Sequence, residues 1–316
     1  RFSMIFASDT QLWWNFEDGV QGLTDEEVEA QNLRHIAAMN QLISGENLPS
    51  DSTPPVAVMI NGDLTEYGRW PQWDAFYTLY RQVNAPIFEG LGNHDYENNN
   101  QYVSNGCNIQ PDALDAWFQA CEEGSEATLW GQSACEVYGN ITELWGWCAS
   151  DVMRRLRYWL ENHSEALYNW DPGSGAYSFE IGEFHFIQLH NSVDYEVPET
   201  QICSPAAWFK NDLRDAFERG KKIVSAVHRP VSSSFGSYLE GYQYNVVGIF
   251  FGHIHSRVGY TSNLTVGGID IPEFYCGSSE WNLFSFVQFD ADRMTVTSID
   301  SNGGTAVHHP TVEGYD

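Results

Sequence analysis

Five short segments carry side chains able to hold metal ions: Asp9-Thr10-Gln11, Asn61-Gly62-Asp63, Gly92-Asn93-His94-Asp95, Val227-His228-Arg229-Pro230 and Gly252-His253-Ile254-His255. Carboxylates, carboxamides and imidazoles are the oxygen and nitrogen donors that suit hard and borderline divalent cations. Each segment alone is commonplace. What gives them weight together is that each follows a strand-like run, and strand ends converge on one rim of a sheet. Glycines beside Asp63, Asn93 and His253 would let the backbone turn sharply where a Cβ would clash. The chemistry expected of such a cradle is hydrolysis by a metal-activated water.

That rim requires a particular set of elements. Residues 2–8 form a short apolar run that ends at Asp9. Residues 25–44 show helical periodicity, with Thr24 as N-cap and Gly45 as stop. Residues 55–61 read as a buried strand, 70–83 as a helix, and 85–89 as a third strand closed by Gly90 and Gly92. This β-α-β-α-β order predicts a parallel sheet covered by helices. Residues 97–173 interrupt the pattern with Cys, Asn, Gly and Trp, and read as a disulfide-bearing cap with one helix near 150–163. A hairpin over 176–191 with a Gly-Glu turn follows, then a helix at 205–219 and strands at 222–228 and 246–252. Closely spaced strands run on to 300, and 301–316 reads as an irregular tail. The expected class is α/β: two packed sheets with outer helices, a single domain over 1–316 with the cap inserted at 97–173.

The series D-x-Q, GD, GNHD, H and GHxH resembles that of the calcineurin-like metallophosphoesterases over residues 5–255. The resemblance implies a four-layer α/β/β/α sandwich and a binuclear centre. In that centre Asp9, Gln11 and His255 would hold the first metal, Asp63 would bridge, and Asn93, His228 and His253 would hold the second. It implies His94 as the catalytic histidine, with Asp95 beside it. His94 would protonate the leaving oxygen from outside the metal shell, and Asp95 would orient an imidazole or raise its basicity. Two divalent cations about 3.5–4 Å apart would activate a water and clamp the oxygens of a phosphomonoester or phosphodiester. With only two carboxylates among the ligands, the site would stay net positive and could hold phosphate despite a chain charge of −28. Two departures matter. The family's first motif ends in His where this chain has Gln11; some branches carry Gln, including one of serine/threonine protein phosphatases. A neutral amide oxygen is a harder ligand than imidazole and favours Mn²⁺ or iron over Zn²⁺. Residues Leu64-Thr65-Glu66 stand where many relatives have a further Asp or Asn. Two rival functions are a protein phosphatase of the Gln-bearing branch and a metal-free scaffold of the same fold. Retention of His94 and of both histidines of the last motif argues against the scaffold.

Composition narrows the partners. The chain has 43 Asp and Glu against 15 Lys and Arg, and its only lysines are Lys210, Lys221 and Lys222. Such a surface repels nucleic acid and anionic membranes, and no apolar run is long enough to span a bilayer. A small phosphate ester is the expected substrate. Trp13 and Trp14 follow the first metal loop and are candidates to line its pocket; Arg69 and Arg229 are candidates to contact phosphate. Cys107, Cys121, Cys135 and Cys148 fall in the cap, with Cys203 and Cys276 beyond it. Two disulfides inside the cap and one outside are expected, which favours an oxidising, extracytoplasmic setting. Sequons at Asn140, Asn162 and Asn263 and an opening at Arg1 without Met fit a mature secreted form. His35 reads as a solvated helix residue, His185 and His190 as packing or surface residues, and His308 and His309 as without a role.

Overall fold

The computed structural model describes residues 1–13, 16, 17, 20, 21, 23–66, 68, 70–97, 128, 129, 132, 133, 149–196, 202–231, 234–303, 307–309, 312 and 313. Trp14, Arg69 and the four cap cysteines Cys107, Cys121, Cys135 and Cys148 lie outside the described residues.

The first half of the chain supplies β1 (Phe2–Ala7), α1 (Asp25–Ile43), β2 (Pro55–Ile60), α2 (Trp70–Tyr80), β3 (Ile87–Glu89) and α3 (Ala149–Asn162). Next come β4 (Asn169–Trp170), β5 (Tyr177–Ile181), β6 (Phe184–Gln188), α4 (Ala206–Glu218), β7 (Lys222–Ala226) and α5 (Gly236–Leu239). The last part holds β8 (Val246–Phe251), β9 (Val258–Val266), β10 (Ile269–Cys276), β11 (Leu283–Phe289), β12 (Arg293–Asp300), β13 (Val307–His308) and β14 (Val312–Glu313). One sheet has the order β13-β12-β11-β1-β2-β3, with β14 also paired to β12; the other has β9-β10-β8-β7-β6-β5-β4. In the first, β1, β2 and β3 are parallel and β11 joins β1 antiparallel. In the second, β6, β7, β8 and β10 are parallel. The tail read as irregular therefore has short pairings: His308 lies opposite Thr297, and Val312 opposite Met294.

The apolar runs of β7 and β8 are continuous because both of their faces are covered. Val224, Ala226, Val247 and Phe250 face the cluster between the sheets. Ile223, Val227, Ile249 and Phe251 face a second cluster that includes Phe209 and Leu213 of α4. Aromatic rings join the sheets: Phe6 stacks on Phe250 with centroids 4.1 Å apart, and Phe88 on Phe179 at 3.6 Å. On the far side of the first sheet, α1 buries Ile36, Met39 and Leu42. Thr24 opens α1 with a reciprocal capping box to Glu27. Helix α3 buries Val152, Met153, Leu156 and Leu160 in the same core as β1. The result is helix, sheet, sheet, helix. Among the described residues no helix is long and apolar enough to cross a membrane.

Two further expectations fail. Cys203 and Cys276 are both free, Cys203 exposed and Cys276 buried, so the bridge expected outside the cap does not form. Cys276 ends an interior strand, where a thiol packs as a small apolar group. His35 is not solvated: it is fully buried, neither ring nitrogen has a hydrogen-bond partner, and its ring meets Phe284 edge-on at 5.1 Å. Burial lowers its pKa to about 3. The folded protein thus keeps His35 neutral while the unfolded chain protonates it below its ordinary value near 6.5. Its contribution to stability is complete above pH 6.5 and is lost as pH falls toward about 3. Urea unfolding at a series of pH values should show His35→Leu losing less stability across that window than the parent, by up to about 1.4 kcal/mol per pH unit. Parallel pH profiles would contradict this.

Candidate metal centre

The parallel strands of both sheets aim their carboxyl ends at one place, and the five segments emerge there. Asp9 follows β1, Asn61–Asp63 follow β2, Gly92–Asp95 follow β3, His228 follows β7, and His253 and His255 follow β8. Backbone bonds stitch the loops together. Asp9 N donates to Gly62 O at 2.9 Å, Gln11 N to Asp63 O at 2.8 Å, and Gly252 N to His228 O at 2.9 Å. The Asp9 carboxylate accepts the His253 N–H with both oxygens, at 3.1 and 3.0 Å. Four candidate ligands adopt the left-handed backbone region: Asp9 at φ 50°, Gln11 at 32°, Asp63 at 50° and His253 at 68°. Such conformations cost on the order of 1–3 kcal/mol each and cluster at functional sites. The motif glycines are explained by close approach. A Cβ on Gly92 would stand 2.1 Å from Asp63 Oδ1, and one on Gly252 would stand 1.9 Å from Ser8 Oγ and 2.9 Å from Asp9 Oδ2.

The side chains form two groups of potential ligands. Asp63, His228 and His253 offer atoms within 4.8 Å of one another, and so do Asp9, Asp63 and His255. Asp63 belongs to both. His228 Nε2 lies 3.0 Å from Asp63 Oδ2 and 4.0 Å from Asp9 Oδ1, and His255 Nε2 lies 3.5 Å from Asp9 Oδ1. Gln11 Oε1, Asn93 Oδ1, Asp63 Oδ2 and His228 Nε2 are buried without a hydrogen-bond partner, the last two being close but misaligned. Buried polar atoms are rarely left so, and these are the atoms that would face a cation. His228 Nδ1 lies 2.9 Å from Asn61 O, which favours a proton on Nδ1 and leaves Nε2 as a donor to metal. The donor set therefore fits a pair of divalent cations. Its electrostatics agree. Burial pushes the Asp63 pKa up, but His228 and His94 outweigh it and hold the carboxylate well below its usual range. Burial likewise lowers His228, yet Asp63 raises it to about 9. The cradle attracts positive charge.

His94 sits beside this cradle. Its backbone N–H donates to Asp63 Oδ1 at 2.9 Å. Its Nδ1 lies 3.2 Å from Glu66 O and 3.3 Å from Glu66 Oε2. Burial lowers its pKa, but Asp63 and Glu66 together raise it to about 10. Asp95 is fully buried and ties two loops together: it accepts from Leu64 N, Gly92 N, Thr65 N and the Thr65 hydroxyl at 2.8–3.1 Å. Glu66, noted in the sequence but given no role, and Glu280, not noted at all, both reach the site. Glu66 belongs to the Leu64-Thr65-Glu66 stretch that follows Asp63. Glu280 Oε2 lies 2.5 Å from His255 Nδ1. His190 is a packing residue close by: its Nδ1 accepts the Leu91 N–H at 3.0 Å and its backbone oxygen accepts that of His228 at 2.7 Å. Arg229 is half-buried and near enough to His253 to lower its pKa, alongside the larger effects of burial and His228. Trp13 turns toward α1 and donates to Glu29 at 3.0 Å, lining a separate pocket with Pro71, Asp74 and Thr78.

The calcineurin-like phosphoesterase family matches residues 3–257. The chain belongs to that family. No curated protein matches it. Solved structures with some likeness include TT1561 of Thermus thermophilus, at 10% identity and a TM-score of 0.46, covering 98% of each chain. Vacuolar Protein Sorting 29 from Cryptosporidium parvum has 8% identity and a TM-score of 0.34, over 99% of this chain and 98% of that one. Vps29 from Entamoeba histolytica, solved with Zn²⁺, has 8% identity and a TM-score of 0.34 over 100% of both chains. At such TM-scores none of these likenesses bears on function. In this phosphoesterase the close packing at Gly252 gives a direct test. Gly252→Ala should leave far-ultraviolet circular dichroism unchanged while bound Mn²⁺, measured by elemental analysis after dialysis, falls at least about tenfold. Full metal content in the variant would show that the loops can give way.

Proposed function

We propose that this phosphoesterase hydrolyses a small phosphate ester, using two divalent cations held in the cradle. Asp9, Gln11 and His255 would hold one, Asn93, His228 and His253 the other, with Asp63 between them. The observation that carries this reading is the Asp63 carboxylate, which belongs to both ligand groups. When bound, such a pair supplies Lewis-acid activation of a water and neutralises charge on the phosphoryl group.

The chain's own residues do the rest. Asp9 and Asp63 balance only part of the cations' charge, so the cradle retains affinity for an anionic ester. Gln11 Nε2 makes a long contact of 3.5 Å with Glu66 Oε2, and its amide oxygen, buried without a hydrogen-bond partner, would be the atom offered to a cation. That harder donor favours Mn²⁺ or iron over Zn²⁺ at the first position. His94, whose Nδ1 stands beside Glu66, can deliver a proton to the leaving oxygen. Asp95 acts at one remove, keeping the Asp63 and His94 loops in register. Arg229, close to His253, would contribute positive charge toward a phosphate oxygen.

Turnover of p-nitrophenyl phosphate in added Mn²⁺, abolished by a chelator and restored by metal, is the expected behaviour. His94→Ala should lower kcat by about 10²–10⁴ while bound Mn²⁺ stays at the parent level. A protein that neither binds Mn²⁺ nor turns over the ester would instead favour the scaffold.

A further inference from the structure

A sixth strand end reaches the centre, and it lies beyond the family match, which stops at residue 257. Between β10 and β11 the chain turns through Gly277-Ser278-Ser279-Glu280-Trp281-Asn282. The turn is tightly built. Gly277 has φ 88°, and a Cβ there would meet Leu283 O at 2.4 Å. Asn282 takes φ 56°, and Leu283 N closes back on Ser278 O at 2.9 Å. Three consecutive side chains grip two metal-site loops. Ser278 Oγ donates to His255 O at 3.0 Å. Ser279 Oγ donates to Asp9 O at 3.3 Å and to Thr10 O at 3.1 Å. Glu280 Oε2 meets His255 Nδ1 at 2.5 Å, with only 7% of the Glu280 side chain exposed.

We propose that Glu280 is the positioning residue for His255, locking the imidazole with its Nδ1 proton on the carboxylate and Nε2 turned to Asp9. This rests on the metal-centre reading above. An ionised carboxylate can only accept, so the contact places the ring proton on Nδ1 and leaves the Nε2 lone pair for a cation. Nε2 does point that way, 3.5 Å from Asp9 Oδ1. A buried carboxylate behind an imidazole also makes the ring a stronger donor. The first site depends on this ring more than the second does on either of its own, because His255 is its one imidazole, beside Asp9 and the amide of Gln11, whereas His228 and His253 share the second site. At the second site His228 leans on a backbone carbonyl, that of Asn61. Glu280 thus fixes the one imidazole of the first position from behind, through a side chain rather than a backbone carbonyl.

The full chain, stripped of metal and titrated with Mn²⁺, tests this by calorimetry and by the electron paramagnetic resonance of a coupled Mn²⁺ pair. The parent should bind two ions and show the coupled signal. Glu280→Ala should bind one ion with parent affinity and the other about 10–100-fold more weakly, giving an uncoupled signal at intermediate Mn²⁺. Glu280→Gln keeps an acceptor for Nδ1 without the charge, and should recover part of the loss; it also decides the matter if the alanine variant does not fold. Two ions bound with parent affinity in both variants would overturn the role of Glu280 and leave the centre standing. A parent that binds no Mn²⁺ would overturn the centre itself.

Discussion

Asn61 joins the two sheets directly beneath the cradle. Its side-chain N–H₂ donates to Val227 O and to Phe250 O, both at 3.0 Å, at the ends of β7 and β8. Its backbone N–H donates to Ala7 O at 2.8 Å, and its backbone oxygen accepts from Ser8 Oγ at 2.8 Å and faces His228 Nδ1 at 2.9 Å. One buried residue therefore touches four of the strands whose ends carry the site: β1, its own β2, β7 and β8. Ligands from separate sheets can share an ion only if the sheets are held to within tenths of an ångström. Stacked phenylalanines hold them together but do not set that register, since aromatic contacts tolerate sliding. The directional bonds of Asn61 do set it.

Rigidity below is what permits strain above. Asp9, Gln11, Asp63 and His253 all hold left-handed backbone conformations, and several buried polar atoms face inward without partners. Left alone, such an arrangement would relax. It is held by a close-packed floor, where the motif glycines let loops touch backbone to side chain, and by Asp95, whose carboxylate takes four hydrogen bonds from two loops. The instability is concentrated where cations would relieve it.

What could be read from the sequence follows from this division. Strands with two covered faces, such as β7 and β8, show as unbroken apolar runs, and the five metal segments stand out because glycine beside Asp, Asn or His is a local signal. Glu280 gave none: its importance arises from the β10–β11 turn lying beside β1, a fact of tertiary placement. Asn61 was visible as part of the second segment, yet nothing local says that its carboxamide reaches the other sheet. His35 was legible in principle. It falls on the buried stripe of α1 with Val28, Asn32, Met39 and Leu42, but its polar identity suggested the opposite face. Cys203 and Cys276 misled for a related reason, since an even count says nothing of where each thiol packs.

The first strand has a further consequence for biogenesis. β1 lies between β2 and β11, with Phe2 opposite Phe289, and the Arg1 guanidinium meets the Asp290 carboxylate at 2.5 Å. During synthesis β1 and β2 can pair early, but the other edge of β1 stays bare until β11, which begins at Leu283, has been made. Until then a row of unpaired amides beside Met4 and Phe6 is open to any extended segment nearby. Sheets closed by pairings so distant along the chain form slowly, so a growing polypeptide of this design would lean on chaperones to keep that edge covered.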